Sequence, residues 1–471
     1  MALKKFQSLA QVRAEINAGN TTCVDVVRYY LGKIDEKKHL NAFLEVWGDE
    51  ALERATLIDE KIKNGTAGAL AGMVLALKDN ICYKGHKVSA SSKILEGFTS
   101  LYSSTVTERL LAQDCILIGR TNCDEFAMGA SNENSAYGTV LNDIDNTRVS
   151  GGSSGGSAVA VQADMCLAAL GSDTGGSVRQ PAAFTGLYGY KPSYGMVSRW
   201  GLLAYASSFD QISPFTNNIA DMQAIMNVIA GPDEFDATMM QHPAPDFNTA
   251  TNTGKKRIAY INETIFAEGV SPDIKNGTLA LIEKLKAEGH TVDAVDFPLI
   301  DHMVPCYYVL TTAEASSNLS RYQGLQYGYR SPNATDLEST FKKSRAEGFG
   351  KEVQRRIMLG TFVLSSGYYD AYYTKAQKVR RVVQQKTNDI LSNYDFILSP
   401  TTPTPAFKIG DKAADPVAMY LADIFTVQAP LAGIPAISVP AGVDTEGMPW
   451  GVQLMAAKNA DAQLLAFANT L

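Results

Sequence analysis

The chain has 471 residues, of which 45% are hydrophobic and 19% are charged. This composition is typical of a folded protein and argues against a disordered one. The formal net charge is −7 at pH 7. Proteins that bind nucleic acid directly usually carry a basic surface, so direct binding of nucleic acid by this chain alone is disfavoured.

The six cysteines are scattered singly, and none forms a C-x-x-C pair. We therefore expect reduced core residues of a cytosolic protein, not disulfides or zinc ligands. The first residues contain no apolar core of the kind that a secretory signal has. No apolar run approaches the roughly 18 residues of a spanning helix. A soluble, cytoplasmic protein without membrane contact is the prediction.

Helix and strand patterns alternate through the first half of the chain. Ser8 and Thr22 are N-cap candidates for two opening helices, and residues 1–60 are expected to form an outer helical layer. The strand-helix alternation then begins near Met73. The predicted elements are a strand at 73–77, a helix at 105–113, a strand at 115–118, a helix ending near 163 and a strand at 165–170.

The second half begins with a Pro-, Asp- and Asn-rich surface connection at 231–256. A strand at 257–261, a helix at 273–287 and a strand at 291–297 repeat the β-α-β pattern. A helical stretch at 302–393 and two strands at 436–439 and 450–454 complete the chain. The order predicts an α/β fold, with residues 1–471 forming a single large domain and a helical insertion at about 300–395.

Two Gly/Ser clusters, at 150–157 and 171–177, are the most informative local feature. A flexible linker is one interpretation, but residues 158–170 between the clusters are densely apolar, as in a core. Neither cluster fits a phosphate-binding loop, and no G-x-S-x-G motif accompanies them. The five histidines lie in polar or loop-like stretches, so a serine nucleophile in these clusters needs a base other than histidine.

Lys78 is the candidate base, because it directly follows a strongly apolar strand. Removal from water disfavours an ammonium and lowers the pKa of a lysine, and a neutral amine is a competent general base. An ordinary lysine at a strand end, paired with Asp79, is the alternative. The presence of two Gly/Ser clusters favours the base.

Several motifs together resemble the amidase signature family of serine hydrolases. They are Lys78-Asp79-Asn80, Gly151 to Ser157 and Gly171 to Ala182. Within that family, the chain is similar to the branch of A subunits of aspartyl/glutamyl-tRNA amidotransferases. This closer similarity rests on the segments 124–129, 133–138, 197–212, 313–319 and 419–426. The resemblance implies an amidase signature fold, with a mixed central β-sheet sandwiched by helices.

The resemblance also implies roles for individual residues. Ser177 would be the nucleophile, Ser153 a bridging serine that follows a cis peptide bond, and Lys78 the base. The backbone amides of Thr174, Gly175 and Gly176 would form the oxyanion hole. For a glutamine substrate, Arg356 would bind the α-carboxylate, Asp423 the α-ammonium, and Tyr308 would contribute a hydroxyl group.

By the same resemblance, the chain would release ammonia from glutamine within a heterotrimer that includes subunits B and C. A partner subunit would use ATP and Mg, and would engage Glu-tRNA(Gln) to convert it to Gln-tRNA(Gln). No cofactor or metal is expected on this chain. A free-standing amidase acting on another carboxamide and a non-catalytic scaffold are the alternatives.

Four positions depart from the pattern of the family, namely Ser150, Tyr190, Met196 and Pro430. None is a residue of the predicted relay. They leave open the details of the pocket wall and of the partner contacts, and the sequence does not indicate whether Asp-tRNA(Asn) is also a substrate.

Overall fold

A mixed β-sheet of eleven strands forms the centre of the protein, and helices flank it. The structure is a computed structural model that describes residues 5–249, 254–412 and 416–471. The strands are β1 (Phe43–Val46), β2 (Val74–Lys78), β3 (Ile116–Thr121), β4 (Ala168–Asp173), β5 (Tyr188–Lys191), β6 (Gln211–Thr216), β7 (Arg257–Ile261), β8 (Thr291–Val295), β9 (Phe396–Pro400), β10 (Ala436–Val443) and β11 (Pro449–Ala456).

The strand order is β1-β3-β2-β4-β6-β5-β10-β11-β9-β7-β8. β3, β2 and β4 are parallel neighbours near one end of the sheet, and β9, β7 and β8 are parallel at the other. The strands between these two groups pair antiparallel. Parallel neighbours place their carboxyl ends at the same edge, so the loops after β2, β3 and β4 converge there.

The helices of the described residues differ widely in length and burial. They are α1 (Leu9–Asn17), α2 (Cys23–Glu36), α3 (Gly48–Lys63), α4 (Thr105–Ala112), α5 (Gly155–Gln162), α6 (Arg179–Thr185), α7 (Ile219–Ile229), α8 (Asn262–Phe266), α9 (Pro272–Ala287), α10 (Ile300–Asn318), α11 (Leu337–Gly348), α12 (Lys351–Val363), α13 (Lys375–Leu391), α14 (Pro416–Tyr420), α15 (Gln428–Ala432) and α16 (Asp461–Ala468). Ser8 and Thr22 cap α1 and α2, as predicted. The Ser8 hydroxyl accepts a hydrogen bond from the amide of Gln11, and the Thr22 hydroxyl accepts one from the amide of Asp25.

Helix α5 is almost completely buried, and its small residues allow this. A Cβ atom added to Gly156 would lie 2.3 Å from the Asn122 carbonyl oxygen, at the end of β3. The first turn of α5 therefore packs directly against the backbone that follows β3. This packing fixes the first Gly/Ser cluster against the parallel part of the sheet.

Most predicted elements exist, with shifted limits. The strand predicted at 165–170 is β4 at Ala168–Asp173, so the second Gly/Ser cluster contributes three residues to the strand itself. The stretch predicted as helical at 302–393 contains α10 to α13, separated by irregular segments. β1, β5, β6 and β9 were not predicted. That residues 1–471 form a single domain stays a prediction.

All six cysteines are free and buried, which agrees with the expectation of core residues. Within the described parts of the chain, no helix is long and apolar enough to cross a bilayer.

Candidate active site

Lys78 ends β2, and its amine lies among three serine hydroxyls. Nζ is 2.7 Å from Ser153 Oγ, 2.9 Å from Ser154 Oγ and 3.0 Å from Ser172 Oγ. The first two serines precede α5, and the third lies in β4. β2 and β4 are adjacent and parallel, with Leu77 opposite Leu170. This pairing brings Lys78 and the two Gly/Ser clusters to one place.

The Lys78 amine is fully buried. Burial lowers its pKa from 10.5 to about 8, against the opposing effect of Asp124, Asp173 and Asp210. Desolvation therefore outweighs three nearby carboxyl groups. With a pKa of about 8, roughly a tenth of the amine is uncharged at pH 7, and this fraction can act as a general base.

Ser153 follows a cis peptide bond from Gly152. Its carbonyl oxygen accepts a hydrogen bond from the amide of Asp124 at 3.0 Å. The Asp124 carboxylate in turn accepts from the amides of Asn132 and Asn134, at 2.9 and 3.0 Å. Burial raises the pKa of Asp124 to about 6. The segment after β3 thus holds Ser153 in place.

Ser177 is in the loop between β4 and α6 and is 8% exposed. Its carbonyl oxygen accepts a hydrogen bond from the Ser154 amide at 3.2 Å, which ties the two Gly/Ser clusters together. Its hydroxyl group makes no hydrogen bond with any described residue. The Ser177 hydroxyl is therefore largely buried but unpaired among the described residues, and it can form a hydrogen bond with a substrate.

A buried ion pair shapes the Ser177 loop. The Asp173 carboxylate accepts hydrogen bonds from Arg179 Nε at 3.0 Å and Nη2 at 2.9 Å. It also accepts from the amides of Gly176 and Val178, at 3.0 and 3.2 Å. Both charged side chains are fully buried. Burial alone would raise the pKa of Asp173, but Arg179 holds it below the usual value.

The three predicted oxyanion-hole amides are not equivalent. The Gly176 amide donates to Asp173, as described above. The amides of Thr174, Gly175 and Ser177 form no hydrogen bond within the described parts of the chain. Thr174 Oγ1 donates to Asp210 at 2.7 Å, which orients the start of the loop. The available donors at the loop are therefore Thr174, Gly175 and Ser177.

The two glycines of the loop are needed because side chains press against them. A Cβ atom at Gly175 would lie 2.5 Å from the Tyr307 hydroxyl oxygen, and one at Gly176 would lie 2.2 Å from Thr426 Oγ1. Gly176 also has a φ of +135°. Thr426 Oγ1 donates to the Gly175 carbonyl at 2.5 Å. Residues at these two positions other than glycine would displace the loop.

Arg356 lies on α12 and is enclosed by tyrosine rings. Its Nε donates to Glu352 at 2.9 Å and its Nη1 to the Tyr205 hydroxyl at 2.9 Å. The guanidinium lies 5.1 Å from the Tyr308 ring centroid and 5.5 Å from that of Tyr420. Nη2 makes no hydrogen bond with a described residue and remains available to a carboxylate.

Asp423 and Tyr308 lie beside Arg356. The Tyr308 hydroxyl donates to Asp423 Oδ2 at 3.5 Å, and burial raises the pKa of Asp423 to about 7. The Asp423 carbonyl oxygen accepts from Thr426 Oγ1 at 3.0 Å, and that threonine also contacts Gly175. Thr426 thus joins the segment that carries Asp423 to the Ser177 loop.

A cavity of about 210 Å³ adjoins Arg356. Ser131, Glu133, Lys412 and Tyr420 are among the residues that line it. The Ser131 hydroxyl and Glu133 Oε2 are buried without a hydrogen-bond partner in the described parts of the chain. Charged groups of both signs and unpaired polar atoms suit a small zwitterionic ligand.

The structure places Lys78 in hydrogen-bond contact with Ser153, and Tyr308 in contact with Asp423, whereas the described residues show no hydrogen bond between the hydroxyls of Ser153 and Ser177. It also adds residues that the sequence did not indicate. Ser154, Ser172, Asp173 and Thr426 contact predicted residues directly, and Arg179 pairs with Asp173. Ser154, Ser172 and Asp173 belong to the two Gly/Ser clusters, so the clusters were a usable signal for them. Arg179 follows the second cluster closely, whereas nothing in the sequence pointed to Thr426. No group of three or more metal-ligating side chains occurs among the described residues.

The four residues that depart from the family pattern, Ser150, Tyr190, Met196 and Pro430, are all buried. Ser150 Oγ donates to the Gly151 carbonyl at 3.0 Å, and the Tyr190 hydroxyl donates to Asp461. Met196 is completely buried, and Pro430 lies within α15. None contacts the Lys78 amine.

The chain belongs to the amidase family of enzymes, because the family model described as Amidase matches residues 25–465. It is similar over its whole length to the A subunits of glutamyl-tRNA(Gln) amidotransferases. The protein of that name from Chlorobaculum tepidum is 49% identical over 471 residues, covering 99% of this chain and 98% of that protein. The one from Chlorobium phaeobacteroides is 49% identical over 470 residues, with the same coverage.

Solved structures agree with this family. The crystal structure of the glutamyl-tRNA(Gln) amidotransferase A subunit from Thermotoga maritima superposes with a TM-score of 0.76 at 38% identity, covering 95% of this chain and 90% of that one. A bacterial aryl acylamidase of the amidase signature family superposes with a TM-score of 0.86 at 21% identity, covering 99% and 96%. The second similarity shows the shared fold alone.

Proposed function

We propose that this chain is the glutaminase subunit of a tRNA-dependent amidotransferase and hydrolyses glutamine through Lys78, Ser153 and Ser177. One observation carries the proposal. A buried amine with a pKa of about 8 lies 2.7 Å from the hydroxyl of Ser153, next to the loop that presents Ser177. A neutral amine coupled to a hydroxyl can accept a proton and return it, which is the requirement for acid-base catalysis of amide hydrolysis.

The reaction begins when the Ser177 hydroxyl attacks the carboxamide carbon of glutamine. Its proton passes to Ser153, and the proton of Ser153 passes to Lys78. The negative charge on the carbonyl oxygen is stabilised by the unpaired loop amides of Thr174, Gly175 and Ser177, while the Gly176 amide remains bonded to Asp173. The C–N bond then breaks, and Lys78 returns the proton through Ser153 to the leaving ammonia. Water hydrolyses the γ-glutamyl ester and releases glutamate.

Arg356, Asp423 and Tyr308 would select glutamine among carboxamides. The free Nη2 of Arg356 can bind the α-carboxylate, and the guanidinium is held in place by Glu352 and Tyr205. Asp423 can bind the α-ammonium when it is ionised, with the Tyr308 hydroxyl as its neighbour. Opposite charges at fixed positions match a zwitterion and would disfavour an uncharged amide.

The ammonia would pass to a partner subunit. The similar proteins are named as the A subunit of glutamyl-tRNA(Gln) amidotransferase, and such a name denotes one part of a larger enzyme. We propose subunits B and C as partners in a cytoplasmic heterotrimer. In this arrangement the partner uses ATP and Mg and engages Glu-tRNA(Gln), which is consistent with the net charge of −7 on this chain.

The test is ammonia release from glutamine by the chain, alone and assembled with subunits B and C, Glu-tRNA(Gln) and ATP. Ser177→Ala and Lys78→Met should each reduce the rate by several orders of magnitude without loss of folding. A rate of glutamine hydrolysis that is unchanged by the partner subunits, Glu-tRNA(Gln) and ATP, together with fast hydrolysis of unrelated amides, would support a free-standing amidase instead. Undiminished activity in Ser177→Ala would refute the assignment of the nucleophile.

A further inference from the structure

Asn80 lies two residues after Lys78 and contacts Ser172, a hydrogen-bond partner of the Lys78 amine. Its Nδ2 donates to Ser172 Oγ at 2.9 Å, and the same oxygen accepts from Lys78 Nζ at 3.0 Å. All three side chains are buried. We propose that Asn80 is a positioning residue that acts through the Ser172 hydroxyl to favour the uncharged amine of Lys78. The inference rests on the proposed role of Lys78 as the base.

A charged Lys78 fills the acceptor capacity of the Ser172 hydroxyl and cannot accept its proton. A charged Lys78 donates to the hydroxyl oxygens of Ser153, Ser154 and Ser172. Ser172 Oγ then accepts from both Lys78 and Asn80, which uses both of its lone pairs. Its own proton has no acceptor among the described residues. The charged form of Lys78 therefore leaves one buried hydroxyl proton unpaired.

The neutral form of Lys78 removes this conflict. An uncharged amine has two N–H groups and one lone pair, so at rest the Ser172 hydroxyl can donate to Nζ while it still accepts from Asn80. During the reaction the amine turns this lone pair toward Ser153. Hydrogen bonds that satisfy the neutral form lower the pKa of a base. Ser172 thus pairs all of its groups only when Lys78 is uncharged.

Ser154 does not discriminate between the two forms in this way. Its hydroxyl donates to the Ser172 carbonyl oxygen at 3.3 Å and accepts from the Ser172 amide at 3.3 Å. These backbone partners remain whether or not Lys78 donates as well. The preference for the neutral amine therefore resides in Ser172 and in the group that donates to it, Asn80.

The surroundings of Lys78 make a neutral side chain at position 80 important. Asp124, Asp173, Asp210 and the Cys123 thiol are the titratable groups that act to raise the pKa of the amine. Asp79 is occupied elsewhere, by Ser89, Ser91 and Arg120. An aspartate in place of Asn80 would have nearly the same shape and would add another carboxylate, one hydroxyl group away from Nζ.

The test is the pH dependence of kcat for glutamine hydrolysis. In Asn80→Asp the carboxylate accepts the Ser172 proton, which leaves Ser172 as an acceptor for the ammonium. The acid limb should therefore move up by about one pH unit. Asn80→Leu removes the donor that competes with Lys78 and should give a smaller upward shift. Asn80 Oδ1 is buried without a donor in the described chain, so Asn80→Leu removes an unpaired acceptor and should fold.

Two controls separate this inference from a structural effect. Asn142→Asp changes a buried asparagine that donates to Val149 and Phe184, and it should leave the acid limb in place. In a Ser172→Ala background, Asn80→Leu should no longer move the limb. Superimposable limbs for the parent, Asn80→Asp and Asn80→Leu would overturn the inference. Full activity of Lys78→Met would instead refute the proposed function.

Discussion

Asp173 and Arg179 form a completely buried ion pair on either side of the loop that carries Ser177. Arg179 also donates to the Thr426 carbonyl oxygen at 2.8 Å, and Thr426 contacts the Gly175 carbonyl oxygen. The pair therefore joins both ends of the loop to the segment that carries Asp423. Because the loop contains three glycine and serine residues with little packing surface of their own, these hydrogen bonds determine its conformation.

Arg179→Met tests the importance of this pair for folding. Removal of one partner leaves Asp173 buried and unpaired, which costs about 3–5 kcal/mol in the free energy of unfolding. Denaturant titration measures the loss. Arg28→Met is the control, because Arg28 forms an exposed pair with Asp25 and should change the free energy by less than about 1 kcal/mol. Equal effects of the two substitutions would contradict a stabilising role of the pair in the loop.

Lys78 should make the stability of the protein depend on pH in a defined direction. The folded pKa of about 8 lies below the value of 10.5 for an exposed lysine. Between these values the unfolded chain binds more protons, so the free energy of unfolding rises with pH. As the pH falls through 8 the folded amine becomes protonated as well, and the cost of burying the charge approaches its full value.

The measurement compares the parent with Lys78→Met, in which this titration is absent. The stability of the parent relative to Lys78→Met should rise by roughly 2 kcal/mol between pH 7.5 and pH 9.5, since each pKa unit corresponds to about 1.4 kcal/mol. A difference that is independent of pH, or that falls as the pH rises, would show that the pKa of Lys78 is not lowered.

Gly176→Ala should inactivate the enzyme. The added Cβ would lie 2.2 Å from Thr426 Oγ1, and the φ of +135° is unfavourable for alanine. The resulting shift would misplace the neighbouring amides, and loss of one oxyanion donor lowers kcat by about 100-fold or more. Gly447→Ala is the matched control, since Gly447 also has a positive φ but no atom within 4 Å of an added Cβ. Steady-state kinetics measure kcat for both variants, and a similar kcat in Gly176→Ala and Gly447→Ala would contradict the proposed role of the loop.

Arg356 and Arg355 provide an internal comparison for substrate binding. Both side chains contact Glu352, but Arg356 is buried among tyrosines and the Arg355 side chain is half exposed. Arg356→Ala should lower kcat/KM for glutamine roughly 10- to 100-fold, because a charge-assisted hydrogen bond contributes about 1.5–3 kcal/mol. Arg355→Ala should change it little. Similar losses in both variants would remove Arg356 from the proposed glutamine site.

The sequence allowed the fold class and the position of Lys78 to be predicted for a physical reason. A continuously apolar strand followed by a lysine is a strong local pattern, and β2 ends at Lys78 as expected. β5 and β9 could not be predicted, because β5 pairs with the distant β10 and β9 with the distant β7. The limits of β4 were missed because Gly171, Ser172 and Asp173 are poor strand formers on their own.

The predicted site residues came from a family resemblance, whereas the groups that hold them depend on tertiary contacts. Asn80 and Ser172 are 92 residues apart, and Arg179 and Thr426 are 247 apart. No local pattern indicates that such residues are neighbours. The lowered pKa of Lys78 similarly depends on burial by several elements. From the apolar strand alone, only the direction of the pKa shift could be predicted.

The most direct test of the proposed mechanism is to identify the residue that becomes acylated during glutamine turnover. The chain, assembled with its proposed partner subunits, would be mixed with glutamine, quenched within milliseconds in acid and analysed by peptide mass spectrometry. We expect a γ-glutamyl ester on Ser177 that accumulates in the parent and is absent in Ser177→Ala. A γ-glutamyl group on any other side chain, or ammonia release by Ser177→Ala at the parental rate, would contradict the mechanism.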